Sequence, residues 1–83
     1  MTHANGKVAS KVIGGAIRVL REQKGLTLED LAANAEVSYQ YLSGIETGKE
    51  NFSIRILEKI AGALEVAMPA LISTAYDGQR GDS

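Results

Sequence analysis

Residues 27–48 read TLEDLAANAEVSYQYLSGIETG and predict two short helices joined by a tight turn. Thr27 offers an N-cap oxygen, and Asp30, three residues later, completes a carboxylate version of the capping box. Ser38 is a second N-cap candidate, so we expect the second helix to start at Tyr39 and to end before Gly48.

The apolar residues of this stretch recur at three-and-four spacing and predict one buried face on each helix. They are Leu28, Leu31, Ala32 and Ala35 in the first helix and Tyr41, Leu42 and Ile45 in the second. Small alanines in the first helix allow a close approach of the second. This is the helix-turn-helix pattern, whose second helix enters the major groove of DNA in the proteins that use it.

Three further helices are expected around this pair. The first runs from Ser10 or Lys11 to Lys24, and Gly14-Gly15 within it indicates either a frayed first turn or very close packing. Its buried stripe is Val12, Ile13, Ala16, Ile17 and Leu20.

A fourth helix follows Ser53, and a short fifth helix begins at Met68, where Pro69 is tolerated in the first turn. The buried face expected for the fourth helix consists of Ile54, Leu57, Ile60, Ala61 and Leu64. We therefore predict an all-α, five-helix bundle over residues 10–76, with a flexible segment at 1–9 and a disordered tail at 77–83.

Composition restricts the function classes. The 83 residues allow one domain, and they include no cysteine, which suits a reducing compartment. No apolar run approaches the roughly 18 to 20 residues of a membrane span, and nothing near Met1 resembles a signal peptide. We expect a cytoplasmic protein without membrane contact.

The net charge of −1 does not point to nucleic acid, but its distribution is uneven. Residues 1–24 carry a local charge of +4, whereas residues 27–50 carry −4. The acidic charge on the two-helix segment argues against tight DNA binding, because neutralisation of phosphates supplies much of the affinity.

No enzyme signature is present. His3 is the only histidine and lies in the segment expected to be flexible, so neither a metal site nor a histidine acid–base pair is predicted. Adjacent Glu29 and Asp30 indicate a solvated helix face. We expect no catalysis and no cofactor.

The chain resembles the five-helix DNA-binding domain of lambdoid phage repressors and Cro proteins, the XRE-type helix-turn-helix. Within that family it is similar to the small controller proteins of restriction–modification systems. The resemblance covers about residues 11–73 and rests on REQKGLTLEDLA (21–32), Val37-Ser38, LSGIETGK (42–49) and FSIRILEKIAGALEV (52–66).

The resemblance implies an ion pair between Arg21 and Glu46 that joins the first helix to the recognition helix and presents the arginine near a DNA phosphate. One guanidinium can hold a carboxylate and still offer donors outward. The alternative is a solvated surface pair that contributes under about 1 kcal/mol.

The resemblance places base reading at Tyr39, Gln40, Ser43 and Gly44. Gln40 suits a bidentate contact to adenine, whereas Gly44 replaces a longer reader. Tyr39 reaches a phosphate or a thymine methyl, or else is a surface aromatic. The full DNA-binding set that we expect is Arg21, Leu28, Ser38, Tyr39, Gln40, Ser43, Thr47, Lys49 and Asn51.

Leu28 departs from the family pattern, since many relatives have a phosphate-binding glutamine there. Only the amides of Leu28 and Glu29, at the helix N-terminus, remain for a phosphate oxygen. Thr47, Lys49 and Asn51 follow the recognition helix in a loop that lies along the DNA backbone in relatives, although a loop lysine is also often merely solvated.

Relatives of this size dimerise through their last two helices, which would place two recognition helices about 34 Å apart, one turn of DNA. We expect Met68, Ile72 and Tyr76 at the dimer interface. Leu64, Val66 and Leu71 are either interface or core residues.

Two functions from different classes remain. The first is a homodimeric, sequence-specific transcription regulator that binds an inverted-repeat operator. Repression would follow from blocking RNA polymerase, whereas activation would need an acidic surface for the polymerase, which Glu29, Asp30 and Glu36 can form. The alternative is a protein-interaction module, such as an anti-repressor, a heterodimer partner or an antitoxin, that keeps the fold. The operator sequence, the choice between activation and repression and any effector are left open.

Overall fold

The computed structural model describes the backbone of residues 2–80 and the side chains of residues 9–77, and this part contains five helices and no strand. The helices are α1 (Thr2–Gln23), α2 (Leu28–Ala35), α3 (Tyr39–Glu46), α4 (Ile54–Leu64) and α5 (Met68–Arg80). The prediction of an all-α, five-helix bundle is confirmed.

Both outer helices are longer than predicted. The start of α1 at Ser10 or Lys11 was wrong, because the helix begins at Thr2. No proline interrupts residues 2–9, so the backbone hydrogen bonding of the helix continues through them. At the other end α5 continues to Arg80. Residues 1 and 81–83 lie outside the described part, and the division into a domain with flexible ends stays a prediction.

The N-caps are those the sequence predicts. The Thr27 hydroxyl accepts a hydrogen bond from the Asp30 amide at 3.0 Å, and the Asp30 carboxylate accepts one from the Thr27 amide at 3.0 Å. Hydrogen bonding of the Asp30 carboxylate, first to the backbone amide of Thr27 and then to its side chain, lowers the pKa of Asp30 below its ordinary value. Ser38 caps α3 through a 3.0 Å bond from the Tyr41 amide, and Ser53 caps α4 in the same way.

The C-termini of α2 and α4 end without glycine. Glu36 and Glu65 adopt the left-handed conformation, with φ of 60° and 61°. In each case the following valine, Val37 or Val66, donates its amide to a carbonyl in the last helical turn at 3.0 Å and packs its side chain against the core. Burial of that valine offsets the roughly 1–2 kcal/mol that the left-handed conformation costs.

The core is formed by one face of every helix. Its fully buried large side chains are Ile17, Leu31, Leu42, Ile45, Leu57, Ile60, Leu64 and Leu71. Helix α1 packs mainly against α5 and α3, while α2 packs against α4 and α3. Leu64 and Leu71 are therefore core residues.

One predicted core residue is misplaced. Ile54 is 66% exposed, because it occupies the first position of α4, immediately after the Ser53 cap and before the helix turns its apolar face inward. The rest of the predicted α4 face is buried.

Gly14 sets the distance between α1 and the recognition helix. A Cβ added at Gly14 would clash with the carbonyl oxygen of Ile45 and lie 3.0 Å from its carbonyl carbon. The neighbouring Gly15 has nothing within 4 Å of the same added atom. The sequence left open whether the glycine pair frays the helix or allows close packing. Gly14 allows close packing, because the backbone of α3 at Ile45 lies directly against it.

We expect Gly14→Ala to destabilise the fold by about 1–3 kcal/mol, because the backbone of α3 has to move away. Gly15→Ala is the matched control, and it should stabilise the helix by up to about 1 kcal/mol through helix propensity alone. Urea denaturation of both variants measures the difference. Equal stabilities of the two variants would show that the contact between α1 and α3 is not tight.

Candidate nucleic-acid interface

Arg21 joins three parts of the fold. Its Nε donates to Glu46 Oε2 at 2.8 Å and its Nη2 donates to Glu46 Oε1 at 3.1 Å, a bidentate pair between α1 and α3. Its Nη1 donates to the carbonyl oxygen of Leu26 at 2.9 Å, in the turn before α2. The ion pair that the family resemblance implies is present.

The surroundings of this pair exclude the alternative of a solvated surface contact. The side chains of Arg21 and Glu46 are 12% and 5% exposed, whereas those of the Arg18–Glu22 pair on the outside of α1 are 62% and 55% exposed. The hydrogen bonds that Arg21 donates to Glu46 raise the pKa of Arg21 further above its ordinary value. With both charges paired, the positions of the two helices are fixed relative to each other.

Helix α3 has one buried and one accessible side. Leu42 and Ile45 are fully buried, whereas Tyr39 is 50% exposed and Gln40 is also exposed. Ser43 is half-buried on the accessible side. These side chains can reach a ligand without any change in the core.

Two predicted DNA-binding hydroxyls already have local partners. Ser38 Oγ accepts the Tyr41 amide as the N-cap, and the Thr47 hydroxyl donates to the carbonyl oxygen of Ser43 at 3.0 Å. Both side chains are exposed, and a hydroxyl group retains further hydrogen-bonding capacity. They hold the two ends of α3 while staying accessible.

The loop after α3 is fastened to that helix. The amides of Lys49 and Glu50 both donate to the Gly44 carbonyl, at 2.8 and 3.1 Å, and the Tyr41 hydroxyl donates to the carbonyl of Asn51 at 2.8 Å. Lys49 and Asn51 are exposed. Tyr41 packs against the core, as its helical spacing predicts. No local sequence pattern indicates its hydrogen bond to Asn51.

Leu28 is half-buried and packs against the core. Its amide and that of Glu29 lie in the first turn of α2, where a helix offers no acceptor of its own. The side chain therefore has a structural role, and only the backbone at this position suits a phosphate.

The residues proposed for a dimer interface lie four apart along α5. Met68 and Ile72 are half-buried against the core, and Tyr76 is 44% exposed. Their spacing places them on one face of the helix. Tyr76 is the most exposed of the three.

The described residues contain neither a metal-binding cluster nor a membrane-spanning helix. No group of three or more histidine, cysteine, aspartate or glutamate side chains within this part of the chain has a metal-binding arrangement. Likewise, none of the helices described combines the length and apolar character that crossing a membrane requires.

Comparison with known proteins defines the class. Residues 17–71 match the family model described as helix-turn-helix. The chain belongs to this family, the XRE-type DNA-binding transcription regulators, and the resemblance found in the sequence is confirmed.

Individual relatives agree with this assignment. The chain is 41% identical over 73 residues to the HTH-type transcriptional regulator SinR of Bacillus subtilis, a match that covers 82% of this chain and 66% of SinR. It thus spans about two thirds of the length of that relative.

Two solved structures share the fold at similar identity. The clp gene regulator ClgR of Corynebacterium glutamicum superposes with a TM-score of 0.84 at 30% identity, covering 89% of this chain and 79% of ClgR. The restriction–modification controller protein C.Esp1396I, solved as a tetramer with its natural 35 base-pair operator, gives a TM-score of 0.78 at 32% identity, covering 83% and 91% of the two chains.

We expect Glu46→Gln to lower the free energy of unfolding by about 2–4 kcal/mol, because it leaves the largely buried Arg21 charge without its counter-ion. Glu22→Gln is the control, since it breaks an exposed ion pair of the same types and should cost under about 1 kcal/mol. Urea denaturation of the two variants measures both effects. If the two costs were similar, the Arg21–Glu46 pair would not be the link between α1 and α3.

Proposed function

We propose that this DNA-binding transcription regulator acts as a homodimer on an inverted-repeat operator, with the accessible side of α3 against the base edges. The observation that carries the proposal is the accessible row of Tyr39, Gln40 and Ser43 on a helix held in place by the Arg21–Glu46 pair. A fixed helix lets side chains discriminate base pairs, because a misplaced donor loses its bond.

The chemistry of each side chain decides whether it contacts a base edge or a phosphate of the DNA. Gln40 reads a base through its amide, and Tyr39 and Ser43 contact the adjacent base edges or phosphates. The DNA phosphate backbone is contacted by the side chains at the two ends of α3 and in the loop after it, namely Ser38, Thr47, Lys49 and Asn51. The backbone amides of Leu28 and Glu29 contact it as well. Arg21 has donors beyond the three used internally and offers them to a phosphate.

The similarity to the restriction–modification controller protein C.Esp1396I supports a finer assignment. We propose a controller-type regulator, active in the cytoplasm without catalysis or cofactor. For a regulator that activates transcription, the surface offered to RNA polymerase consists of three exposed carboxylates, Glu29 and Asp30 in the first turn of α2 and Glu36 at its C-cap. Genes for an endonuclease and a methyltransferase next to the gene for this protein would support the controller role. Their absence would count against that role and leave the broader assignment as a transcription regulator.

The second candidate is an interaction module, and specific observations favour it. The two-helix segment is acidic, Leu28 is turned into the core and Gly44 offers no side chain to a base. An anti-repressor, a heterodimer partner or an antitoxin would use the same exposed side of α3 against a protein.

Gln40→Ala separates the two candidates. A regulator should lose about 1–3 kcal/mol of binding at one base-pair position and retain its preferences elsewhere. Asn34→Ala removes another exposed amide, from α2, and should leave binding unchanged. Fluorescence titration of operators selected from random duplexes measures both. Wild-type protein that shows no preference above bulk DNA at roughly 50 to 150 mM salt would refute the regulator proposal.

Dimerisation through α5 has its own matched pair of variants. Tyr76→Asp should weaken the dimer by about 2 kcal/mol or more, because it places a charge among the interface residues Met68 and Ile72. Val19→Asp introduces the same charge at a similarly exposed apolar residue of α1, 46% against 44%, and should leave the dimer intact. Sedimentation equilibrium measures the dissociation constant of the dimer. A dimer weakened by Val19→Asp and left intact by Tyr76→Asp would show that the interface is formed by α1.

A further inference from the structure

The recognition helix lacks a side chain where one is expected, and another residue fills the space. Gly44 lies one turn after Gln40, on the same side of α3. A Cβ added at Gly44 would collide with Cγ of Glu50 and lie 3.2 Å from its Cβ and 3.5 Å from its carboxyl carbon. The side chain of Glu50 thus occupies the volume that a residue-44 side chain would take.

The backbone on both sides of Glu50 is held in place. The amides of Lys49 and Glu50 share the Gly44 carbonyl as acceptor, and the next residue, Asn51, accepts the Tyr41 hydroxyl at 2.8 Å. Gly48, with φ of 80°, makes the turn that returns the loop to the helix. The direction of the Glu50 side chain therefore follows from the loop geometry.

The Glu50 carboxylate has no bonding partner within the described part of the chain. Glu50 is exposed, and among the side chains that the structure describes none forms a hydrogen bond or a salt bridge with it. A free negative charge on a surface that faces DNA repels phosphates. In the major groove, however, the exocyclic amino groups of cytosine and adenine are donors that a carboxylate can accept.

We propose that Glu50 is a specificity-determining residue that replaces the reader missing at Gly44. Its carboxylate accepts a hydrogen bond from cytosine N4 or adenine N6 at the base pair next to the one that Gln40 reads. The same charge lowers affinity for DNA that offers no amino group there. This inference rests on the proposed DNA-binding function.

The test compares Glu50→Ala with Glu58→Ala, which removes another exposed carboxylate, from α4. Fluorescence anisotropy at one salt concentration gives the dissociation constants for every single-base variant of a selected half-site. Wild type and Glu58→Ala should prefer an amino-bearing base at one position by about 5- to 150-fold. Glu50→Ala should lose that preference alone and bind non-operator DNA more tightly.

A second variant tests whether the missing side chain at position 44 is what allows Glu50 to reach the base. Gly44→Ala pushes the Glu50 side chain aside and should lose the same preference, and the double variant Gly44→Ala/Glu50→Ala should lose no more than either single variant. Circular dichroism establishes that each variant is folded. Retention of the preference in Gly44→Ala would contradict the assigned position of the carboxylate.

Two other outcomes would overturn the proposal in distinguishable ways. If Glu50→Ala bound every duplex more tightly by one common factor, the carboxylate would only repel phosphates, and the DNA-binding function would stand. If neither wild type nor Glu58→Ala preferred any duplex, the DNA-binding function itself would fail, and the role of Glu50 would fail with it.

Discussion

The bidentate bond between Arg21 and Glu46 is the constraint on which the rest of the structure depends. Each residue alone would be a costly buried charge, since the two side chains are 12% and 5% exposed. Paired, they join α1 to the last turn of α3, and the third arginine bond reaches the turn before α2. The orientation of the recognition helix is therefore set by directional bonds in addition to apolar contact, which is non-directional.

Close backbone approach is the complement of that bond. Gly14 lets α3 lie against α1 at a distance that no side chain would permit, and this brings Glu46 within reach of Arg21. Both contacts join α1 to α3. The ion pair attracts the two helices, and the missing Cβ at Gly14 allows their backbones to approach. Because α2 and α3 are only eight residues each, neither is stable without its neighbours. Helix α3 is held against α1 by these contacts, and α2 packs against α4 and α3.

The charge distribution acquires a different meaning in three dimensions. The local −4 of residues 27–50 includes Glu46, which is neutralised by Arg21, and Asp30, which is used in the α2 capping box. Of the remaining carboxylates, Glu29 is in α2, Glu36 is the C-cap of that helix, and Glu50 lies against Gly44 of α3. The acidic composition is thus a weaker argument against DNA binding than the sequence suggested, because two of the five carboxylates in residues 27–50, Asp30 and Glu46, stabilise the fold.

Much of the fold was determined by the sequence itself, because caps and apolar spacing are local. Thr27, Ser38 and Ser53 start helices where predicted, and the buried stripes follow the three-and-four pattern. The start of α1 at Thr2 and the end of α5 at Arg80 were not predicted, since no local signal marks them. Left-handed Glu36 and Glu65 depend on burial of the valines that follow, and Glu50 lies over Gly44 through a returning loop. Only tertiary structure decided these features, because each is stabilised by contacts between residues that local sequence patterns do not relate.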